Sequence, residues 1–329
     1  MRSFRFFRAA DPPAALQAGG APGATFIGGG TTLVDLMKLG VESPEAVVDV
    51  TRLDGAAVIE ELPDAGGLRI GAAARNSDVA RHALVRAHFP ALSQALLAGA
   101  SPQLRNMATV AGNLRQRTRC AYFRDVAVEA CNKRAPGSGC AALGGWSRMH
   151  AILGGSPHCI AAHPSDMCVA MLALDAVVHT LGPGGARQIP IADFHTLPGD
   201  HPEVETVLAH GELITHVTLP AAPFAARSGY VKVRDRAAFA FALASAAVAL
   251  DLHGGKVRAA RVALGGVATK PWRSREAEAE LVGQPARRAV FERAAARALR
   301  GADARPDNEF KIKLAQRTLV RALEMVAGS

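Results

Sequence analysis

The sequence predicts a mixed α+β protein of more than one domain, and three observations carry that expectation. The chain has 329 residues, about twice a typical domain length. It is 49% hydrophobic and 20% charged, ordinary globular usage with enough apolar material for a core. Short β-rich runs and helically spaced apolar residues alternate along it, with no internal repeat and no low-complexity tract.

Residues 1–55 read as a small α/β unit. Thr25-Phe26-Ile27-Gly28 is a short strand running into a triple glycine. Thr31-Thr32 offers an N-cap, Leu33, Leu36, Met37 and Leu39 follow at helical spacing, and Gly40 is a C-terminal stop. Val47–Val50 is a second strand, and another starts near Leu68-Arg69-Ile70. Residues 77–98 carry helical patterning interrupted by Pro90. Between 101 and 165 the periodicity fades while Gly, Arg and Cys accumulate. Residues 172–181 read as a strand, then a Gly182-Pro183-Gly184-Gly185 turn and a strand at 189–191. Residues 213–219 alternate and end at Pro220. A boundary is expected at Pro220-Ala221-Ala222-Pro223. Beyond it come a strand (230–234), an apolar segment (237–252), a Gly254-Gly255 turn, a strand (257–264) and two or three helices. Pro285 stands near a helix start and Gly328 past a helix end.

The net charge is +9, from 31 Arg and 7 Lys against 29 acidic residues. No Lys/Arg run exceeds two residues, and aromatics are only 5%, which argues against a nucleic-acid binder that works by base stacking. The longest nearly uncharged apolar run, 237–250, is too short to span a bilayer. Charges break any apolar leader in the first eight residues, so a soluble, cytoplasmic protein with reduced thiols is expected. Export into the periplasm alongside a signal-bearing partner stays open.

Two polar turns suit a phosphate. Gly28-Gly29-Gly30-Thr31-Thr32 links a strand to a helix, where bare glycine backbone and free N–H groups favour an anion. Its spacing fits neither the Rossmann nor the P-loop fingerprint. Thr109-Val110-Ala111-Gly112-Asn113 is the second, and the pair would suit a diphosphate. Five cysteines, Cys120, Cys131, Cys140, Cys159 and Cys168, fall within 49 residues. Four thiolates complete the shell of a zinc ion or an iron–sulfur cluster. There is no C-x-x-C knuckle, which counts against zinc. Seven basic residues against two acidic ones between Arg105 and Arg134 would offset an anionic cluster. Spacing alone leaves cluster, zinc and no metal open.

These residues resemble a family. The stretches Phe26-Ile27-Gly28-Gly29-Gly30-Thr31-Thr32-Leu33-Val34, Thr109–Leu114 and His163-Pro164-Ser165-Asp166-Met167 look like the FAD-binding subunit of molybdenum hydroxylases, the xanthine dehydrogenase and carbon monoxide dehydrogenase group. Gln116–Asp125, Cys131–Arg134, Gly137–Cys140 and His150–Cys159 are similar to the narrower group of bacterial aldehyde oxidoreductase subunits that carry an extra [4Fe-4S] cluster beside FAD. The resemblance runs from the first residues to about 265.

It implies a two-lobed FAD fold of the vanillyl-alcohol oxidase type over 1–222, with lobes at 1–55 and 56–222 and an iron–sulfur insertion at 116–162. An α/β C-terminal domain of the carbon monoxide dehydrogenase flavoprotein type would fill 223–329. By the same resemblance, 26–34 would wrap the FAD pyrophosphate and Thr109, Gly112 and Asn113 would reach it from the other lobe. Asp166 would accept a hydrogen bond from the flavin chain, and Ile214 and Lys232 would lie near the flavin ring. Cys120, Cys131, Cys140 and Cys159 match the cluster ligands. Cys168 stands where a small apolar residue is usual and is expected to be a buried, inert thiol. His150, His158 and His163 are expected to bond to sulfur or backbone rather than to ligate. No catalytic acid–base pair is expected. The implied partners are a molybdenum-cofactor large subunit and a [2Fe-2S] small subunit. The terminal acceptor would be an acidic carrier such as a ferredoxin, or oxygen. A stand-alone flavin oxidase and a zinc-stabilised nucleic-acid binder are the rival readings.

Overall fold

The computed structural model describes residues 1–63, 66–222 and 224–328; of the expected boundary turn, Pro223 lies outside the described residues. Among the described residues the strands form three sheets. The first is parallel, with β1 (Arg5–Arg8), β2 (Ala24–Ile27) and β3 (Ala46–Asp49) in the order β1-β3-β2. Parallel neighbours need a crossover. Helix Pro12–Gly19 supplies one, its N-terminus capped by Asp11, which accepts from the Ala14 N–H at 2.8 Å. Helix Leu33–Leu39 supplies the other and stops at Gly40, which takes φ 76°. Thr32 holds the N-cap position but its side chain makes no capping bond. The sequence reading passed over β1: all four of its residues are exposed, so it has no inside-outside contrast to detect.

The second sheet contains β4 (Ile59–Glu61), β5 (Leu68–Gly71), β6 (Val177–Gly182), β7 (Gly185–Pro190) and β8 (Leu213–Leu219), antiparallel in the order β4-β5-β8-β6-β7. The helical stretch before it divides into Asn76–Arg81, Ala83–His88 and Pro90–Ala98, with Pro90 at the first turn of the last. The strand expected over 172–181 needs correction. Leu172 and Ala173 end a buried helix, Asp166–Ala173, and β6 starts only at Val177, after Asp175 reverses the chain at φ 53°. Every residue of that helix is buried, so its apolar run has no period that separates helix from strand. Likewise 189–191 straddles the end of β7 and a short helix, Ile191–Phe194.

The third sheet is antiparallel: β9 (Ser228–Val233), β10 (Ala244–His253), β11 (Lys256–Gly265) and β12 (Trp272–Arg273). Gly254 and Gly255 both have positive φ and close the two-residue hairpin between β10 and β11. Of the apolar segment 237–252, only the part from Ala244 is strand. Helices Arg275–Leu281, Arg288–Ala298 and Phe310–Ala327 cover one face. Val248, Leu250, Val262 and Leu264 pack there with Phe291, Leu319 and Leu323. No helix among the described residues is long and apolar enough to cross a membrane.

The first two sheets meet at the glycine turn. A Cβ on Gly29 would lie 1.7 Å from the Met107 carbonyl oxygen, and one on Gly28 would lie 2.4 Å from Thr109 Oγ1. Glycine is therefore required by the neighbouring loop, where the sequence argument had assigned the space to a phosphate. Gly29→Val should cost about 2 kcal/mol or more by overpacking, and lower Tm by at least about 4 °C. Gly40→Ala, which meets nothing within 4 Å, should cost only the left-handed backbone penalty of about 1 kcal/mol. Thermal unfolding of the two variants checks both; equal losses would show that the close approach at Gly29 is not tight.

Candidate functional site

A cleft of about 550 Å³ opens where the first two sheets face each other, within the range of small-molecule and cofactor sites. One wall is the turn after β2, with Phe26, Ile27, Gly28, Gly29, Gly30, Thr31, Thr32 and Leu33. The opposite wall is the short helix Val110–Leu114 with its cap Thr109, followed by Arg115, Gln116, Arg117 and Thr118. Thr109 Oγ1 accepts from the Gly112 N–H at 3.2 Å, so its hydroxyl already serves the backbone. The floor includes Cys159, Ala161 and His163; Ile214 of β8 and the 203–206 loop complete the rim.

Four of the expected cofactor residues do not line this cleft. Val34 packs beneath the turn, with Cγ2 3.1 Å from where a Gly30 Cβ would stand. Asn113 turns its Oδ1 to the Ser165 hydroxyl at 2.7 Å, tying the Thr109 turn to the His163-Pro164-Ser165-Asp166 turn. Asp166 and Lys232 are brought together as a buried ion pair at 2.7 Å. The Tyr230 hydroxyl donates to the other Asp166 oxygen, and Lys232 Nζ also donates to the Ala98 carbonyl at 3.2 Å. Burial and the adjacent carboxylate push the Tyr230 phenol well above its ordinary range, so it stays a donor.

Sequence reasoning missed several lining residues. Arg115, Gln116 and Arg117 follow the second turn directly and stood in plain view as an Arg-Gln-Arg run. His195 and the 203–206 loop carry no signal, because only the fold brings them here. His195 Nε2 bonds the Leu114 carbonyl at 2.9 Å, and its ring stands edge-on to His163 at 4.5 Å. Burial pushes His195 down to about 4 and His163 well below its usual range, so both rings are neutral. His163, Cys168 and His195 bring potential ligand atoms within 4.8 Å of one another. However, His163 Nδ1 accepts the Ser165 N–H at 3.3 Å, which leaves the proton on Nε2 and no lone pair there for a metal. Cys168 is fully buried, and desolvation pushes its thiol up to about 12, an inert group.

Cys120, Cys131, Cys140 and Cys159 converge on a second, smaller cavity with Phe123, Asn132 and Lys133. The approach is built locally. Cys131 and Cys140 face each other across a two-residue bridge. Asn132 Oδ1 accepts from the Gly139 N–H at 2.8 Å and its Nδ2 donates to the His158 carbonyl at 3.1 Å, closing the loop on the Cys159 segment. Leu36 of helix Leu33–Leu39 packs against Phe123 and Cys131, which holds the insertion to the first sheet unit. His150 Nε2 lies 3.1 Å from Cys120 Sγ. Burial pushes His150 down to about 4 and Cys120 up to about 11. Lys133, Cys159 and Ala161 line both cavities, so a single wall separates them.

The expected role of the arginines needs correction. Among the described residues no arginine lines the cysteine cavity, whereas Lys133 does. Arg119 and Arg124 both bind Asp35, at 2.9 and 2.8 Å, and Arg124 holds that carboxyl below its ordinary range. Arg117 joins Glu42 to Glu205, and Lys133 adds a second contact to Glu205 at 3.0 Å. Arg134 donates to the carbonyls of Tyr122, Phe123, Asp125 and Val128. Arg105 donates to that of Gly99 at 2.6 Å. The basic excess of 105–134 mostly clamps carboxylates from elsewhere in the chain and carbonyls in or near the stretch itself.

Comparison with known proteins agrees with this layout. Residues 2–222 match the FAD binding domain in molybdopterin dehydrogenase, and residues 229–326 match the CO dehydrogenase flavoprotein C-terminal domain. The chain is 53% identical over 325 residues to the aldehyde oxidoreductase FAD-binding subunit of Escherichia coli, covering 98% of both. It is 27% identical to the carbon monoxide dehydrogenase medium chain of Afipia carboxidovorans, covering 91% of this chain and 87% of that one. A reconstituted CO dehydrogenase from Oligotropha carboxidovorans superposes with a TM-score of 0.77 at 24% identity, covering 99% and 98%. A quinoline 2-oxidoreductase from Pseudomonas putida does so at 0.76 and 23%, with the same coverage; both likenesses speak to fold. The chain therefore belongs to the FAD-binding subunits of the molybdopterin dehydrogenases, an oxidoreductase family.

Proposed function

We propose that this chain is the electron-transfer subunit of a molybdenum-dependent aldehyde oxidoreductase, carrying a [4Fe-4S] cluster on Cys120, Cys131, Cys140 and Cys159 beside FAD. The observation that carries it is the convergence of those four thiols on one cavity that shares a wall with the cleft. Zinc suits the arrangement less. Zn–S bonds of about 2.3 Å draw four thiolates into a tight tetrahedron. Among the described residues, the tight group of ligand atoms is His163, Cys168 and His195 and not the four cysteines. A four-iron cube holds its ligands further apart. Lys133, placed between the cavities, supplies the nearby positive charge that an anionic centre needs.

The cleft fits FAD by its own features. The turn after β2 and the Thr109 turn both line it, and Arg115 presents a cation with no hydrogen bond or ion pair among the described residues. FAD, when bound, supplies a store for an electron pair and the cluster a carrier for single electrons. The chain's part is placement. The turn 28–33 and the helix Val110–Leu114 hold the dinucleotide. The segment 159–161 keeps the two centres one wall apart, and Leu36 packs on Phe123 and Cys131 to hold the cysteine segment in place. In this reading aldehyde oxidation belongs to a molybdenum-bearing large subunit, with a [2Fe-2S] small subunit passing electrons here. A ferredoxin-like acidic carrier suits the +9 charge as acceptor. The relative of 53% identity, an aldehyde oxidoreductase subunit, supports this substrate class.

Two measurements test the reading. Purified protein should contain about four irons per FAD. Serine at Cys120, Cys131, Cys140 or Cys159 should remove the iron, whereas Cys168→Ala should leave it unchanged. Iron lost from Cys168→Ala but kept in one of the other four would overturn the ligand set. In stopped-flow absorbance, aldehyde should leave the flavin band of the isolated chain intact and bleach it once the two partner subunits are added. Bleaching of the isolated chain would instead favour a stand-alone oxidase.

A further inference from the structure

Arg115 is the basic residue of the 105–134 stretch that the fold leaves uncommitted. It caps the C-terminal end of helix Val110–Leu114 and lines the cleft. Its guanidinium makes no hydrogen bond or ion pair among the described residues. Each of its basic neighbours is held: Arg117 by Glu42 and Glu205, Lys133 by Glu205 and the Pro202 carbonyl. Arg115 is exposed, with its side chain open to the cleft. Arg117 stands beside it as a like charge. Arg115, Arg117 and Lys133 share the cleft with Glu42, Glu203 and Glu205. Arg117 and Lys133 are taken up by those carboxylates, whereas the exposed Arg115 guanidinium is free to meet an anion that enters the cleft.

The anion can be located along the cleft. Thr109, six residues back, packs against Gly28, and six helical rises span about 9 Å, within reach of an extended arginine. Lys232, expected near the flavin ring, and Asp166, expected to accept from the flavin chain, do not line this cleft.

We propose that Arg115 is the counter-ion of the FAD diphosphate, a charge-assisted anchor reaching it from the wall opposite the glycine turn.

The test uses the full chain freed of flavin, titrated with FAD, ADP and riboflavin by fluorescence and calorimetry. ADP carries the diphosphate without the flavin, and riboflavin the flavin without the diphosphate. Arg115→Met should weaken FAD and ADP at least about tenfold and leave riboflavin unchanged. Arg115→Lys should retain part of the affinity and serves if the Met variant does not fold. Wild-type ADP affinity should fall with added salt, and that dependence should shrink in Arg115→Met. Unchanged ADP affinity, or an equal loss for riboflavin, would overturn the assignment. Failure of the wild-type chain to bind FAD at all would instead strike at the cofactor reading itself.

Discussion

The structure depends on one close approach, the passage of the Gly28–Gly29 backbone against the Met107 carbonyl and Thr109. Two sheet units with separate cores touch there with no side chain between them. That contact fixes how far apart the two cleft walls stand. Thr109 is spent on both sides of the junction. It packs on Gly28, and its hydroxyl caps the helix that carries Gly112 and ends at Arg115. A larger residue at 28 or 29 would spread the walls and displace the cap together. The glycines therefore set the width of the cleft that they line.

The cysteine insertion is anchored through different physics. Its own hydrophobic contribution is small, chiefly Phe123 and Cys131 against Leu36. Polar ties do the rest, and they reach every part of the chain. Arg119 and Arg124 grip Asp35 near the N-terminus, and Arg117 spans Glu42 and Glu205. On the far side, Asn308 and Lys311 of the C-terminal segment donate to carbonyls at Ser147 and His150. Lys311 is fully buried with carbonyl acceptors alone, and burial pulls it down to about 7. Such a network is directional where apolar packing is not, which suits a loop-rich segment that must hold four thiols around one point.

What was legible in the sequence follows the same division. Helix Leu33–Leu39 with its Gly40 stop, β8 at Leu213–Leu219 and the three closing helices carried clear periodicity or caps, and all are present. The buried helix Asp166–Ala173 was read partly as strand, since a segment enclosed on all sides shows no polar face. β1 and helix Pro12–Gly19 were passed over because exposed Phe6 and Phe7 break the rule that apolar residues mark an interior. At the site, local turns could be found from local residues. The convergence of 109–118 with 195–206 could not, because nothing in either segment names the other. The cysteine spacing leaves cluster, zinc and no metal open, and Cys168 is set apart by the family resemblance, in which a small apolar residue is usual at its place.

Charge is where sequence counting and structure part most clearly. A net +5 over 105–134 invites the idea of counter-ions for an anionic centre. Counting sees only charges near in sequence, whereas Asp35, Glu42 and Glu205 come from outside the stretch and neutralise most of them. After that pairing, Lys133 lines the cysteine cavity with Glu205 as its partner, and Arg115 stands exposed in the cleft with no hydrogen bond or ion pair among the described residues. Arg105 and Arg134 are left to backbone carbonyls. The cleft and the cysteine cavity differ in shape and lining and share the wall of Lys133, Cys159 and Ala161, so the charge that counting gathers at one place is distributed by the fold among carboxylates, carbonyls and the open cleft.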